Sequence, residues 1–190
     1  MKKTLFISAF PPNNSDAGCY YTARLLDDIV NSGYIVDLIY FDRNIQKTMI
    51  PEKVNVLKKY SISNMNCIKK FFIYPLFTRR FEKSICNYIR NISVNYDVLY
   101  FDFSQTFLYS RYINHKCKIL MCHDVIAQRY ARRNPILGNW VKHDEKKLLR
   151  SGNLLLTFSN KDCNIIKKLY NWETNPMAAI PAWLSLIVKK

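Results

Sequence analysis

The stretch KTLFISAFPPNNSDAGCYYTARLLDDIVNSGYIVDLIYF, residues 3–41, decides the fold. Its first eight residues are a nearly unbroken apolar run, the pattern of a strand covered on both faces. A turn rich in Pro, Asn and Ser follows, after which Leu25, Leu26, Ile29 and Val30 recur at helical spacing and Gly33 acts as a stop. Asp16 stands where its side-chain oxygen caps that helix. A second apolar run, YIVDLIYF (34–41), completes a strand-helix-strand unit, and parallel strands need such a crossover.

Working outward, DVLYFDF (97–103), KCKILMCH (116–123) and NLLLTFS (153–159) repeat the buried-strand pattern, with residues 54–60 a weaker strand. Residues 136–150 and 161–170 carry helical patterns, the second capped by Ser159 or Asn160. The expected fold is α/β: a doubly wound, Rossmann-like, mostly parallel sheet with helices on both faces. Right-handed crossovers bring the carboxyl ends of its strands to one edge, where open sheets bind ligands. Function is therefore sought at residues 11–18, 102–106, 123–133 and 159–162.

Composition narrows the classes. The 190 residues, 49% of them hydrophobic, suit one folded domain, and four glycines leave little room for repeats or a flexible linker. A formal charge of +15 points to an anionic ligand or surface without locating it. Basic residues gather in no nucleic-acid recognition motif, so no nucleic acid is expected. The six cysteines form no C-x-x-C pair and read as reduced thiols of a cytoplasmic protein. His115, Cys117, Cys122 and His123 do not suit a metal, because residues 117 and 122 of a strand lie about 16 Å apart. No apolar run reaches the roughly 18 residues of a spanning helix, so any membrane contact is peripheral, on the inner face.

Three segments are candidates for chemistry. The loop around Asp16, Ala17 and Gly18 opens a helix whose N–H groups and positive dipole end suit an anion, although a plain turn explains it equally well. His123 and Asp124 end a buried strand at the ligand edge, where an imidazole can donate or accept a hydrogen bond and a carboxylate can orient it or cap the next helix, with a satisfied structural histidine as the alternative. Arg129, Arg132 and Arg133 beyond them offer planar forks to a phosphate or carboxylate, with a solvated helix face as the alternative. In KKFFIYPLFTRRF (69–81), Lys69, Lys70, Phe71, Phe72, Arg79 and Arg80 are a membrane-facing candidate; the alternative is a core helix with basic flanks, broken at Pro75.

In their order these segments resemble the amino-terminal, acceptor-side domain of GT-B glycosyltransferases of the family 4 type. The matching stretches are 10–18, Gly33-Tyr34-Ile35-Val36, His123-Asp124, Glu145, residues 154–159 with Ser159, Asp162, and Ala179-Ile180-Pro181. A departure is Ala17-Gly18 where the family has two glycines. The resemblance implies a domain over residues 1–182, with 183–190 a truncated hinge and the donor-binding carboxyl-terminal domain absent. It also implies retaining transfer of a sugar from a nucleotide-sugar co-substrate to a saccharide or lipid-linked acceptor, in surface polysaccharide or glycolipid assembly. No cofactor or metal is implied. His123 and Asp124 would be the catalytic pair, Asp16 to Gly18 the donor-phosphate loop, and Arg129, Arg132, Arg133 and Ser159 acceptor or anion contacts. The expected partner is a donor domain in cis or in trans, with little turnover without it. The competing reading is a non-catalytic module binding a lipid-linked or acidic glycan or a partner protein. A dinucleotide enzyme is disfavoured because the G-x-G-x-x-G fingerprint is absent.

Overall fold

The computed structural model describes residues 1–42, 48–61, 75–173 and 176–179. Seven strands form one parallel sheet: β1 (Lys3–Ser8), β2 (Ile35–Asp42), β3 (Asn55–Ser61), β4 (Val98–Asp102), β5 (Lys118–Cys122), β6 (Leu154–Thr157) and β7 (Met177–Ala179). Their spatial order, β3-β2-β1-β4-β5-β6-β7, reverses direction between β1 and β4. That is the doubly wound Rossmann-like arrangement expected from the apolar runs.

The runs are continuous because both faces are covered. Leu5, Ile7, Ile39, Phe41, Leu99, Phe101, Leu120 and Leu155 join the larger core cluster. The residues between them, Phe6, Leu38, Tyr40, Tyr100 and Met121, pack in the second with Leu26 of α1 (Ala17–Asn31). Side chains alternate across a strand, so a strand buried on both sides must be apolar at every position. Edge strand β3 is half exposed and carries Lys58 and Lys59, charges that discourage further strand pairing.

The helices begin where the caps lie. Asp16 Oδ1 accepts the Cys19 N–H at 2.9 Å to start α1, and Gly33, at φ 86°, supplies the left-handed residue beyond its end. Three helices follow β3: the single turn α2 (Pro75–Thr78), α3 (Lys83–Ser93) and, after β4, α4 (Phe107–Tyr112). Pro75 opens α2, a position at which the missing N–H has no helical partner to lose. Next come α5 (Ile126–Ala131), α6 (Pro135–Leu149) and α7 (Asn160–Tyr170). Asn134 caps α6 by accepting the N–H groups of Ile136 and Leu137, and Ser159 caps α7 by accepting that of Asp162. The apolar run 3–10 outlasts its strand, because the Ala9 carbonyl is taken by Arg80 Nε at 2.7 Å and the chain turns into the loop.

Helices α5 and α6 form an antiparallel hairpin. A Cβ placed on Gly138 would lie 2.6 Å from Ala131 Cα and 2.9 Å from its N, so the two backbones touch at a spot that only glycine leaves open. Gly138→Ala should therefore lose about 1–3 kcal/mol to overpacking, against at most about 1 kcal/mol gained in helix propensity. Urea unfolding should show a lower midpoint at unchanged slope; a midpoint equal to or above the parent's would mean the hairpin yields at no cost.

Candidate functional site

Four elements meet at the carboxyl edge where the sheet order reverses. Ser8 ends β1 and faces Asp102 at the end of β4, and His123 directly follows β5. Asp102, 0% exposed, is the hub. Its Oδ1 lies 2.7 Å from His123 Nε2, and its Oδ2 accepts hydrogen bonds from Thr22 Oγ1 of α1 at 2.7 Å and Ser8 Oγ at 3.1 Å. An ionised carboxylate only accepts, so Nε2 is the donor and the tautomer is set by this contact.

The imidazole is also held in its plane. Phe103 stacks on it at 3.6 Å between centroids and 13° between planes, and Phe158 meets it edge-on at 4.6 Å. Phe103 takes φ 65° to do so, a left-handed value that a bulky side chain avoids and that costs on the order of 1–3 kcal/mol. Its other neighbour is Phe10, edge to face at 4.8 Å. Above the ring lies the first turn of α1: a Cβ on Gly18 would sit 3.2 Å from His123 Nδ1 and 3.0 Å from Phe103 Cε1. Gly18 thus lets the helix settle onto the imidazole. Nδ1 is buried with no hydrogen-bond partner, and the side chain as a whole is 9% exposed.

The loop leading to Gly18 is preformed. Asn13 Oδ1 accepts the Ser15 N–H at 2.8 Å, and its amide donates to the Pro11 carbonyl at 3.0 Å. Burial raises the pKa of Asp16, but hydrogen bonds from the Cys19 N–H and thiol and the Gly18 N–H outweigh it and hold the carboxyl below its ordinary value. The same contact with Asp16, added to burial, pushes the Cys19 thiol up to about 12 and leaves it protonated and unreactive.

The sequence-derived candidates separate here. His123 and Gly18 come together. Asp124 does not hold the imidazole: it pairs with Arg129 at 2.7 Å, and Asp102 does its expected work, because successive residues at a strand end point to opposite sides. Arg132 and Arg133 are exposed at the far end of α5. The Ser159 hydroxyl is engaged with Asp162, accepting its N–H at 3.1 Å and donating to Oδ2 at 2.6 Å. Arg80 is not membrane-facing: it is 2% exposed, bonded to the Ala9 carbonyl, with its guanidinium 4.3 Å from the Phe10 ring. Arg79 is half-buried, and Lys69, Lys70, Phe71 and Phe72 lie outside the described residues. His115 is a structural residue whose ring bridges the backbone of Tyr96 and Cys117. Among the described residues, no group of three or more His, Cys, Asp or Glu is placed to hold a metal ion.

Sequence reasoning assigned no role to Asp102, Thr22 or Phe103. A signal existed in one case: Asp102 is a carboxylate closing an otherwise apolar strand, DVLYFD, at the ligand edge.

Glu145 of α6, fully buried, anchors the segment that follows His123. Its carboxylate accepts the Ile126 and Ala127 N–H groups at 2.9 and 2.8 Å, and the Tyr170 hydroxyl also donates to it. The first N–H groups of α5 are thus capped from another helix.

No family model and no curated protein matches the sequence. Solved structures do match in fold. A sucrose-phosphate synthase from Thermosynechococcus elongatus aligns with 99% of this chain and 94% of its own at 12% identity and a TM-score of 0.58. A UGT transferase from Siraitia grosvenorii, solved in complex with UDP, aligns with 94% of this chain and 51% of its own at 10% identity and a TM-score of 0.55. The likeness is one of architecture: a Rossmann-like parallel sheet flanked by helices.

The Glu145 anchor makes a pH signature. Burial, opposed by the bonds from Tyr170, Ala127 and Ile126, pushes its pKa from an ordinary 4.5 up to about 7. The folded chain then binds this proton more tightly than the unfolded chain between those two values. Stability should fall as pH rises through that window, by about 3 kcal/mol from this group, and level off above it. Glu145→Gln should flatten the slope in denaturant titrations taken across the window; an unaltered slope would assign it to other groups.

Proposed function

We propose that this chain is the acceptor-side half of a glycosyltransferase of the GT-B type, acting with a donor-binding half to move a sugar from a nucleotide-sugar to a saccharide or lipid-linked acceptor. One observation carries the reading: a buried carboxylate–imidazole pair, Asp102–His123, at the carboxyl edge where the sheet order reverses. In open α/β sheets that crevice is the ligand site. The fold likeness to two sugar transferases supports the same class, and the sequence resemblance to family 4 adds retention of anomeric configuration, independence of a bound metal and a place in surface glycan assembly.

In this reading His123 and the loop ending at Gly18 form the floor of the acceptor side. The imidazole, fixed by Asp102 and Phe103, is held at the edge that the transferred sugar would reach, the kind of preorganised group that needs no rearrangement during reaction. Asp102 is the positioning residue. Asp124, tied to Arg129, shapes the approach from the α5 side.

A second reading is favoured by one detail, the inward turn of both ring nitrogens, Nε2 to Asp102 and Nδ1 against Gly18. It makes the chain a non-catalytic module that binds an acidic or lipid-linked glycan through its positive charge. Calorimetry with an acidic glycan panel separates the two, since binding without turnover in the reconstituted protein would select it.

The test of transfer supplies a GT-B donor-binding half, in cis or in trans, and follows nucleoside diphosphate release with a panel of acceptors. His123→Ala should leave the circular dichroism spectrum intact and lower the rate by about 100-fold or more. Asp102→Asn should lower the rate with a smaller change in KM than in kcat. Full turnover by His123→Ala would make the imidazole structural, and no turnover with any donor and acceptor would count against the transferase reading altogether.

A further inference from the structure

The α5–α6 hairpin carries a surface that the edge site does not use. Ile136 is 81% exposed and Trp140 41%. Four residues apart on α6, they lie on one face. The same exposed face continues through His143, Lys147 and Arg150, and Arg129, Arg132 and Arg133 are exposed on the α5 side. Between residues 126 and 150 there are seven Lys and Arg against two acidic residues, Asp144 and Glu145. Both acids are buried, so the hairpin presents no exposed carboxylate of its own.

Its position is fixed by contacts already described. Glu145 bonds the first N–H groups of α5, which lie just past the carboxyl end of β5, while Gly138 touches Ala131 at the other end of α5. The part of α6 that precedes Glu145 lies along α5, with Val141 buried in the main core and Gly138, Asn139 and Lys142 beside Ile165, Lys168 and Leu169 of α7. Nine residues separate Ile136 from Glu145, which at helical rise is roughly 13 Å. The apolar pair stands on the exposed face at the turn end of the hairpin, its tip.

We propose that this hairpin is a peripheral membrane-docking element for an anionic bilayer. Ile136 enters the acyl boundary, Trp140 lies at headgroup level, and Arg132 and Arg133 meet the lipid phosphates. Trp favours the interface and basic residues favour anionic headgroups, so each exposed side chain of the tip finds its preferred depth. Cations flank the tip on both helices, and the whole chain carries +15, a distribution that complements an extended anionic surface rather than one acidic pocket. Among the described residues no helix is long and apolar enough to cross a membrane, so the contact is a shallow insertion. The lipid contact does not depend on the proposed transferase reading.

The test is sedimentation of the whole chain with phosphatidylcholine vesicles, with and without phosphatidylglycerol, at low and high salt. The expected result is retention on anionic vesicles that weakens with salt. Arg132→Gln with Arg133→Gln should lower the partition coefficient by about 25-fold, at about fivefold per charge removed. Ile136→Ser with Trp140→Ser should lower it by about tenfold or more. Ile136→Ser alone, at a position 81% exposed, keeps the comparison valid should the double variant unfold. Brominated lipid should quench fluorescence in the parent, and Trp140→Phe should remove that quenching. The proposal is overturned if the parent does not sediment at low salt. It is equally overturned if the variants bind as the parent does, which moves the lipid contact elsewhere. Loss of a parent dimer in these variants, without lipid binding, would instead make this a surface for self-association or another protein.

Discussion

A carboxylate with no access to water must have its charge answered by hydrogen bonds, and Asp102 is the point at which this chain meets that constraint. The answering groups come from three other places: Ser8 on β1, Thr22 on α1 and His123 after β5. Removing any one would leave a buried polar atom short of a partner. The contact therefore fixes the first helix against the sheet and the imidazole against the helix at once. It also accounts for the strained Phe103, which can stack on the ring only by leaving the extended conformation directly after Asp102.

Glu145 meets the same constraint differently. Its three donors favour the charged form while complete burial opposes it, and burial prevails enough to bring its titration near neutrality. The two buried carboxylates thus divide their work. Asp102 holds the imidazole, and Glu145 holds the start of α5, the helix that leaves the site. Between them they define both sides of the short segment from His123 to Ile126.

The hairpin anchored by Glu145 is polarised along its length. Where it passes the sheet, Val141, Leu148 and Leu149 are buried in the main core. Toward its turn it packs on α5, where Gly138 meets Ala131 at backbone distance. On its outer face Ile136 remains 81% exposed. The hairpin thus connects the packing of the fold to its surface chemistry and sets exposed apolar side chains among cations.

Much of the architecture was legible in the residues. Unbroken apolar runs meant strands covered on two faces, and Asp16 and Ser159 marked helix starts through an effect that acts within three residues. Alternation of strands and helices then required a parallel sheet. The three-residue β7 was too short for any periodicity to reveal. The site was legible in part: His123 and Gly18 were visible from their places after a strand and before a helix. What tertiary structure alone decided was which groups meet. Asp124 adjoins His123 in sequence yet points away and takes Arg129, whereas Asp102, on the neighbouring strand, reaches the imidazole. Arg80 reads as a surface cation in sequence and is instead enclosed, because the Ala9 carbonyl and the Phe10 ring offer it partners inside the fold. Local sequence sets backbone conformation through short-range forces. The pairing of buried charges depends on which strands lie side by side, and only the folded chain settles that.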